Sequence, residues 1–340
     1  MIQRRQFLAG SCVGAFGLPG IAFAQNGYKS EYRLSLVVGP GTTWHAAAEN
    51  FANLVRERTA GRINMKLYPG SSLVQGAQDR ELAALRQGAI DVLVGTAVNW
   101  SGTVKDFTIF MLPYLMPDSR AVDAVLASEA LNKDFYDIMR RSGVEPLASG
   151  EYGNIQLLNS KRRLAKPADI AGMKMRVVAS PLQQDIMNAV KANPTSMSWA
   201  DAQSALASGA VDGLTLTLEQ AAAYKVPTLG LKFVTRWNAI NELIHFTVAN
   251  PVFKAWSPED QQIVRAAAKE AAAELTLQVR KSAANDDALK PFGVDVYTPT
   301  PAELVEWKAA VRQPYEKWKA STNPGLLTKI EQVVAQSAKS

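Results

Sequence analysis

The chain has 340 residues, 47% hydrophobic and 20% charged, with a formal net charge of +6. That is enough for about two domains of an ordinary soluble protein with a sizeable core. The basic residues are scattered, with no long run and no aromatic-interleaved patch, which excludes nucleic acid as the expected partner while leaving room for a small anion.

The N-terminus, MIQRRQFLAGSCVGAFGLPGIAFAQ, reads as an export signal over residues 1–24. Arg4 and Arg5 precede an apolar stretch, and Ala22-Phe23-Ala24 forms a small-residue cleavage site. Arg4-Arg5-Gln6-Phe7-Leu8 resembles a twin-arginine signal; a Sec signal that opens on two arginines is the alternative. Glycines and Pro19 break the stretch, so it is not read as a membrane span. The mature chain is thus expected in the periplasm. Cys12, the only cysteine, would leave with the signal, removing any disulfide, thiol nucleophile or Cys-metal site.

Residues 32–38 read as a buried strand, followed by the turn Gly39-Pro40-Gly41 and a helix over 44–59 that stops at Gly61. Alternation of Ile63, Met65 and Leu67 gives a strand, 80–87 a helix and 90–94 a buried strand. GPGTTW lacks the third glycine of a dinucleotide fingerprint, but it opens a helix whose N-terminal amides could face an anion. The loop 97–102 follows a strand end, where open α/β sheets bind ligands; Asn99 and Trp100 are candidates there, and an ordinary loop is the alternative.

The second half repeats the plan. Residues 173–178 form a strand, and 181–190 a helix with Ser180 as N-cap, Pro181 at the first position and Gln183 closing a capping box. Ser198 to Asp201 caps another helix, which ends at Gly209 before a strand over 210–216. ALRQGAID at 84–91 is echoed by ALASGAVD at 205–212, each a helix end, a glycine and a strand with Asp. Chance likeness of two helix–strand junctions is one reading; two lobes on one plan, with a cleft between them, is the other. Toward the C-terminus, Ser257 caps a long helix to about residue 290, 293–297 is a strand, and Thr300 to Glu303 caps a helix holding Trp307, Tyr315 and Trp318 as packing residues. The fold class is α/β, with largely parallel sheets.

Chemistry is sparse. The two histidines, His45 and His245, read as structural, and no nucleophile elbow, phosphate loop or zinc motif occurs, so no cofactor, metal or catalytic residue is expected. Arg176, inside the apolar strand MKMRVVA, stands out. A charge there is costly unless paired, and a guanidinium fork suits a carboxylate. An internal salt bridge or edge-strand position would also account for it.

Several segments resemble, in order, the extracytoplasmic solute-binding subunit of a tripartite ATP-independent periplasmic (TRAP) transporter, DctP type. They are GPGTTWHAAAENFANLVRERTAGRINMKLYPGSSL, ALRQGAIDVLVGTAVNWSG, LPYLMPD, NSKRRLAKPADIAGMKMRVVASP, ANPTSMSWADAQSALASGAVDG and WSPEDQQIVRAAAKEAA. The resemblance implies a two-lobed periplasmic binding protein with crossing strands and a long lobe-spanning helix. It implies capture of a small organic anion and delivery to membrane permease subunits, the chain itself spanning no membrane. We expect lobe I at 28–150 plus about 241–280, and lobe II at 151–240 plus about 281–335. In the family the arginine of the KMRV motif, here Arg176, pairs with the ligand carboxylate. Two departures stand out. A second family arginine is absent near Ile155, and the Asn expected after VDG is replaced by Leu216. Tyr152, Thr215, Trp44, Asn99, Trp100 and Trp237 complete the candidate set. The losses imply a monocarboxylate with an apolar or aromatic body. The alternatives are a periplasmic enzyme on the same scaffold, which needs an acid–base pair in the cleft, and an ABC-type or sensory binding protein.

Overall fold

The structure, a computed structural model, describes residues 28–284 and 286–339; the export segment and its cleavage site lie outside them. The strands are β1 (Tyr32–Ser35), β2 (Met65–Tyr68), β3 (Val92–Thr96), β4 (Val144–Asn159), β5 (Lys174–Val177), β6 (Asn193–Ser196), β7 (Gly213–Leu216), β8 (Phe233–Ala249) and β9 (Asp295–Tyr297). The helices are α1 (Thr43–Arg58), α2 (Glu81–Arg86), α3 (Ser119–Ala127), α4 (Glu129–Arg141), α5 (Pro181–Ala189), α6 (Trp199–Ala207) and α7 (Leu218–Ala223). They continue with α8 (Asn250–Ala255), α9 (Pro258–Ala283), α10 (Pro301–Ala310), α11 (Arg312–Ser321) and α12 (Pro324–Ser337).

All the described strands join one sheet, ordered β2-β1-β3-β8-β4-β7-β5-β6, with β9 beside β8. The outer trios β2-β1-β3 and β7-β5-β6 are parallel. The centre is not: β3–β8, β8–β4 and β4–β7 are antiparallel, so the largely parallel expectation holds only for the two flanks. Side chains alternate between two cores, one on each face. Val92 and Val94 enter one core and Leu93 the other; Ile244 and Phe246 enter the first and Leu243 the second.

β4 and β8 are the long members, and they run through both flanks. The Val144–Glu151 half of β4 pairs with Leu243–Ala249, and its Leu157–Asn159 end with Phe233–Thr235. One register shift falls within the first half, between Pro146 and Ala148, and two fall at the junction, between Glu151 and Gly153 and between Ile155 and Leu157. Such irregularities bend a strand, and the last two place a double bend where the two halves meet.

The echo noted in the sequence recurs as geometry. After α2, Asp91 donates its N–H to the Arg33 carbonyl (3.1 Å) while its carboxylate accepts the Arg33 N–H (2.9 Å). After α6, Asp212 does the same with Lys174, at 2.8 and 2.9 Å. Burial pushes both carboxyls up, but these backbone N–H groups and nearby lysines (Lys29 and Lys161) outweigh it and hold them below the ordinary aspartate range.

The C-terminal third departs from expectation in detail. α9 ends at Ala283 after 26 residues, short of 290. The expected single aromatic helix is two, α10 and α11, broken at Val311. Pro314 explains the break, because it has no N–H to offer residue 310 and its ring crowds that carbonyl. α9 lies against β4 and α1 so closely that a Cβ at Gly150 would stand 2.6 Å from the Ala272 carbonyl oxygen. Gly150→Ala should therefore force α9 off β4 and cost about 1–3 kcal/mol. Urea unfolding measures this, and an unchanged midpoint would contradict the close approach.

Candidate functional site

The bend in β4 and β8 opens a cavity between the flanks. Trp44, Asn99, Tyr152, Ile155, Arg176, Thr215 and Leu216 all line it. It offers about 60 Å³ to water centres, several times the ~10–15 Å³ that one water needs. The scale suits a compact ligand.

Arg176 sits mid-β5 and is only 3% exposed. Its Nε and one Nη donate to the Met197 carbonyl at 3.2 and 3.0 Å. Among the described residues no carboxylate pairs with it. Burial lowers its pKa to about 10, with Tyr152 acting in the opposite sense, so it remains a cation at neutral pH. A buried guanidinium held by one carbonyl keeps donor capacity that suits a carboxylate.

The polar wall comes from both flanks. Gln78, ahead of α2, donates to Asn99 Oδ1 (2.7 Å) and accepts the Trp199 backbone N–H (3.0 Å), tying the first flank to the start of α6. Tyr152 donates to Gln220 Oε1 (2.5 Å) and stands edge-on to Trp44, with centroids 5.7 Å apart. Trp44 is fixed by its indole N–H on the Val94 carbonyl (3.0 Å). Tyr224 packs on Trp199 and accepts the Gly39 N–H at 3.0 Å. Glu242, on β8 opposite Gly153, is buried at the bend and accepts the Val98 N–H at 3.2 Å. Burial raises its pKa to about 8, against the hydrogen bonds from Val98 and Thr96. The apolar wall is Ile155 and Leu216 with Val37, Val38, Val98 and Val178.

Several expectations need correction. Trp100 and Trp237 do not line the cavity. Trp100 is fully buried against Phe107 (5.9 Å) and beneath Gly95. Trp237 donates its indole N–H to the Ile155 carbonyl (2.9 Å) and packs edge-on to Trp307. Both rings are core because the short helix 97–100 and the β8 alternation turn them away from the cleft. The capping box at α5 does not form: Ser180 makes no cap bond and instead accepts from Ser101 (3.2 Å). Gln183 turns into the cavity, where it accepts from Thr215 (3.4 Å). The N-terminal amides of α1 do face a carboxylate, but one from the chain itself: the Thr43 N–H donates to Glu219 at 2.7 Å. Sequence reasoning missed Gln78, Gln183, Gln220, Tyr224 and Glu242, which belong to no motif and converge only through the fold. The Glu in the apolar run AINELIHFTVA was the one available signal. Both histidines lie outside the cavity lining; His245 is buried and shares a hydrogen bond with Ser149 at 2.8 Å.

Residues 34–321 match the profile of the bacterial extracellular solute-binding proteins, family 7, DctP. The chain belongs to this family. A two-lobed TRAP periplasmic solute-binding protein from Ralstonia eutropha H16, solved with (S)-2-acetolactate bound, is 46% identical, with a TM-score of 0.88 over 91% of this chain and 100% of that one. The C4-dicarboxylate-binding periplasmic protein DctP of Rhodobacter capsulatus is 31% identical over 63% of each chain. An uncharacterised protein of Sinorhizobium fredii is 32% identical over 84% of this chain but only 52% of its own length. The matched part of the chain thus spans between half and two thirds of these two curated relatives. Among the described residues of this DctP-family chain, no helix is long and apolar enough to cross a membrane.

Because Trp100 is core and its indole N–H has no partner, Trp100→Phe should change stability by about 1 kcal/mol or less. Any ligand-induced rise in melting temperature should survive the change. Loss of that rise in a folded variant would return Trp100 to the site.

Proposed function

We propose that this chain is the periplasmic receptor of a TRAP transporter for a short, branched aliphatic monocarboxylate carrying a hydroxyl or oxo oxygen. It closes on the anion in the cleft and hands it to membrane permease subunits, without chemistry of its own. Arg176 anchors the carboxylate; Trp44, Tyr152, Ile155, Asn99, Thr215 and Leu216 shape the rest. The lobes would be 28–150 with about 241–280, and 151–240 with about 281–335, hinged at the β4 and β8 bends.

The carrying observation is the buried Arg176, which has no counter-charge among the described residues. The number of charges on the ligand follows from the wall. Among the described lining residues Arg176 is the only Lys, Arg or His, and Ile155 and Leu216 stand where the family resemblance led us to expect an arginine and an asparagine. A second carboxylate would be buried against Ile155 and Leu216 with nothing to pair it. The small free volume favours a compact aliphatic body over the aromatic one considered from sequence. The acetolactate bound to the Ralstonia protein is of this class.

Calorimetry against a panel tests the reading. Acetolactate and 2-hydroxy-2-methylbutanoate should bind, whereas succinate, glucuronate and benzoate should not. Succinate binding more tightly than every monocarboxylate would overturn it. Arg176→Ala should weaken binding roughly 100-fold or more while the unliganded melting temperature holds or rises, since a buried unpaired charge is removed. Unchanged affinity would take Arg176 out of the site.

A further inference from the structure

The cavity holds a second buried ionisable group, and the anchoring role of Arg176 leaves it unexplained. Glu242 is 2% exposed. It projects from β8 at the register where that strand faces Gly153 of β4, at the bend. One of its oxygens accepts the Val98 N–H, and its side chain lines the cavity. Among the described residues no Lys, Arg or His forms an ion pair with it; Arg176 donates to the Met197 carbonyl instead.

We propose, building on the monocarboxylate reading above, that Glu242 is the specificity-determining residue for the ligand's second oxygen. As a neutral carboxylic acid it donates a hydrogen bond to the hydroxyl or oxo group beside the carboxylate. Arg176 selects the charge, and Glu242 selects the neutral oxygen.

Three arguments support this. First, the two groups share one small cavity, so a ligand carboxylate on Arg176 brings a negative charge close to Glu242 and favours its protonated form. Second, a protonated carboxyl gains an O–H beside the Val98 N–H and the Thr96 hydroxyl that it already meets, and that donor can turn to a ligand oxygen in the cavity it lines. Third, Glu242 supplies no cation, so a second ligand carboxylate placed beside it would share the single guanidinium of the lining. The titratable and charged groups that share the lining with Glu242 are Arg176 from β5, Tyr152 from β4 and Tyr224 at the C-terminal end of α7; Glu219 lies outside the lining and acts on Tyr152 through space. Tyr152 and Tyr224 are both raised by burial, Tyr224 to about 12, and Arg176 falls to about 10. Glu219, also raised by burial, is held at the Thr43 N–H. Between pH 7 and 9, Glu242, at about 8, is therefore the lining group that changes charge. The sign follows: the binding form is the protonated one, so affinity is full below pH 7 and falls as pH rises through 8.

The test is calorimetry on the full mature chain with 2-hydroxy-2-methylbutanoate and its isostere 2,2-dimethylbutanoate, which replaces the hydroxyl by a methyl. The wild type should prefer the hydroxy acid about tenfold or more and lose roughly tenfold in affinity for it from pH 7 to pH 9. Glu242→Gln, which keeps an N–H donor and an acceptor for Val98, should keep the preference and lose the pH dependence. Glu242→Leu should lose both, with thermal melts confirming that it folds. Equal affinity of the wild type for the two acids, or an unaltered pH profile in Glu242→Gln, would overturn the assignment while leaving the receptor reading intact. Failure of the wild type to bind any monocarboxylate would overturn both.

Discussion

A guanidinium held in the interior without a counter-charge is the constraint on which the rest of this structure turns. The effective cost of burying such an ion is several kcal/mol, and it is recovered only when a partner of opposite charge arrives in good geometry. Arg176 is kept in that condition by its surroundings. β5 is flanked by β6 and β7, and the Met197 carbonyl orients the fork. On the proposed receptor reading, that cost would be recovered when the anion binds.

The position of the cavity follows from the sheet. Two parallel trios are joined through β4 and β8, which traverse both halves and change register where they cross. Two of their register shifts fall where the halves meet, and the cavity lies there. α9 braces the arrangement from one face, approaching β4 at Gly150 too closely for any side chain. A second close approach, Gly213 against the Leu158 carbonyl at 2.2 Å for a would-be Cβ, sets β7 beside β4 and brings Thr215 and Leu216 to the wall. Hydrogen bonds between the flanks among the described residues include Gln78 to Trp199, Ser101 to Ser180, Thr43 to Glu219 and Gly39 to Tyr224. Hydrogen bonds of this kind are worth about 1 kcal/mol each, which suits an interface that opens and closes.

Much of the outer architecture was legible in the sequence, because each flank is built from short strand–helix units with capping residues and terminal glycines. The Asp91 and Asp212 junctions were readable as a repeat, and the fold gives them the same pair of backbone hydrogen bonds. The centre was not legible residue by residue. β4 contains Pro146, Gly150 and Gly153 and lacks a clean alternation; β8 is buried on both faces, so its apolar run has no period to read. The site divided in the same way. Arg176 announced itself as a charge in an apolar strand. Trp100 and Trp237 were drawn toward the site by residue type, yet the short helix 97–100 turns the first into the core and the β8 alternation turns the second. Gln78, Gln183, Gln220, Tyr224 and Glu242 come from separate elements, and no local pattern links them.

A crystal structure of the mature chain with 2-hydroxy-2-methylbutanoate bound tests the central claim most directly. The account predicts the carboxylate in hydrogen-bond contact with the free edge of the Arg176 guanidinium and the alkyl body against Ile155 and Leu216. A carboxylate bound elsewhere in the cleft, with Arg176 still occupied only by the Met197 carbonyl, would contradict it.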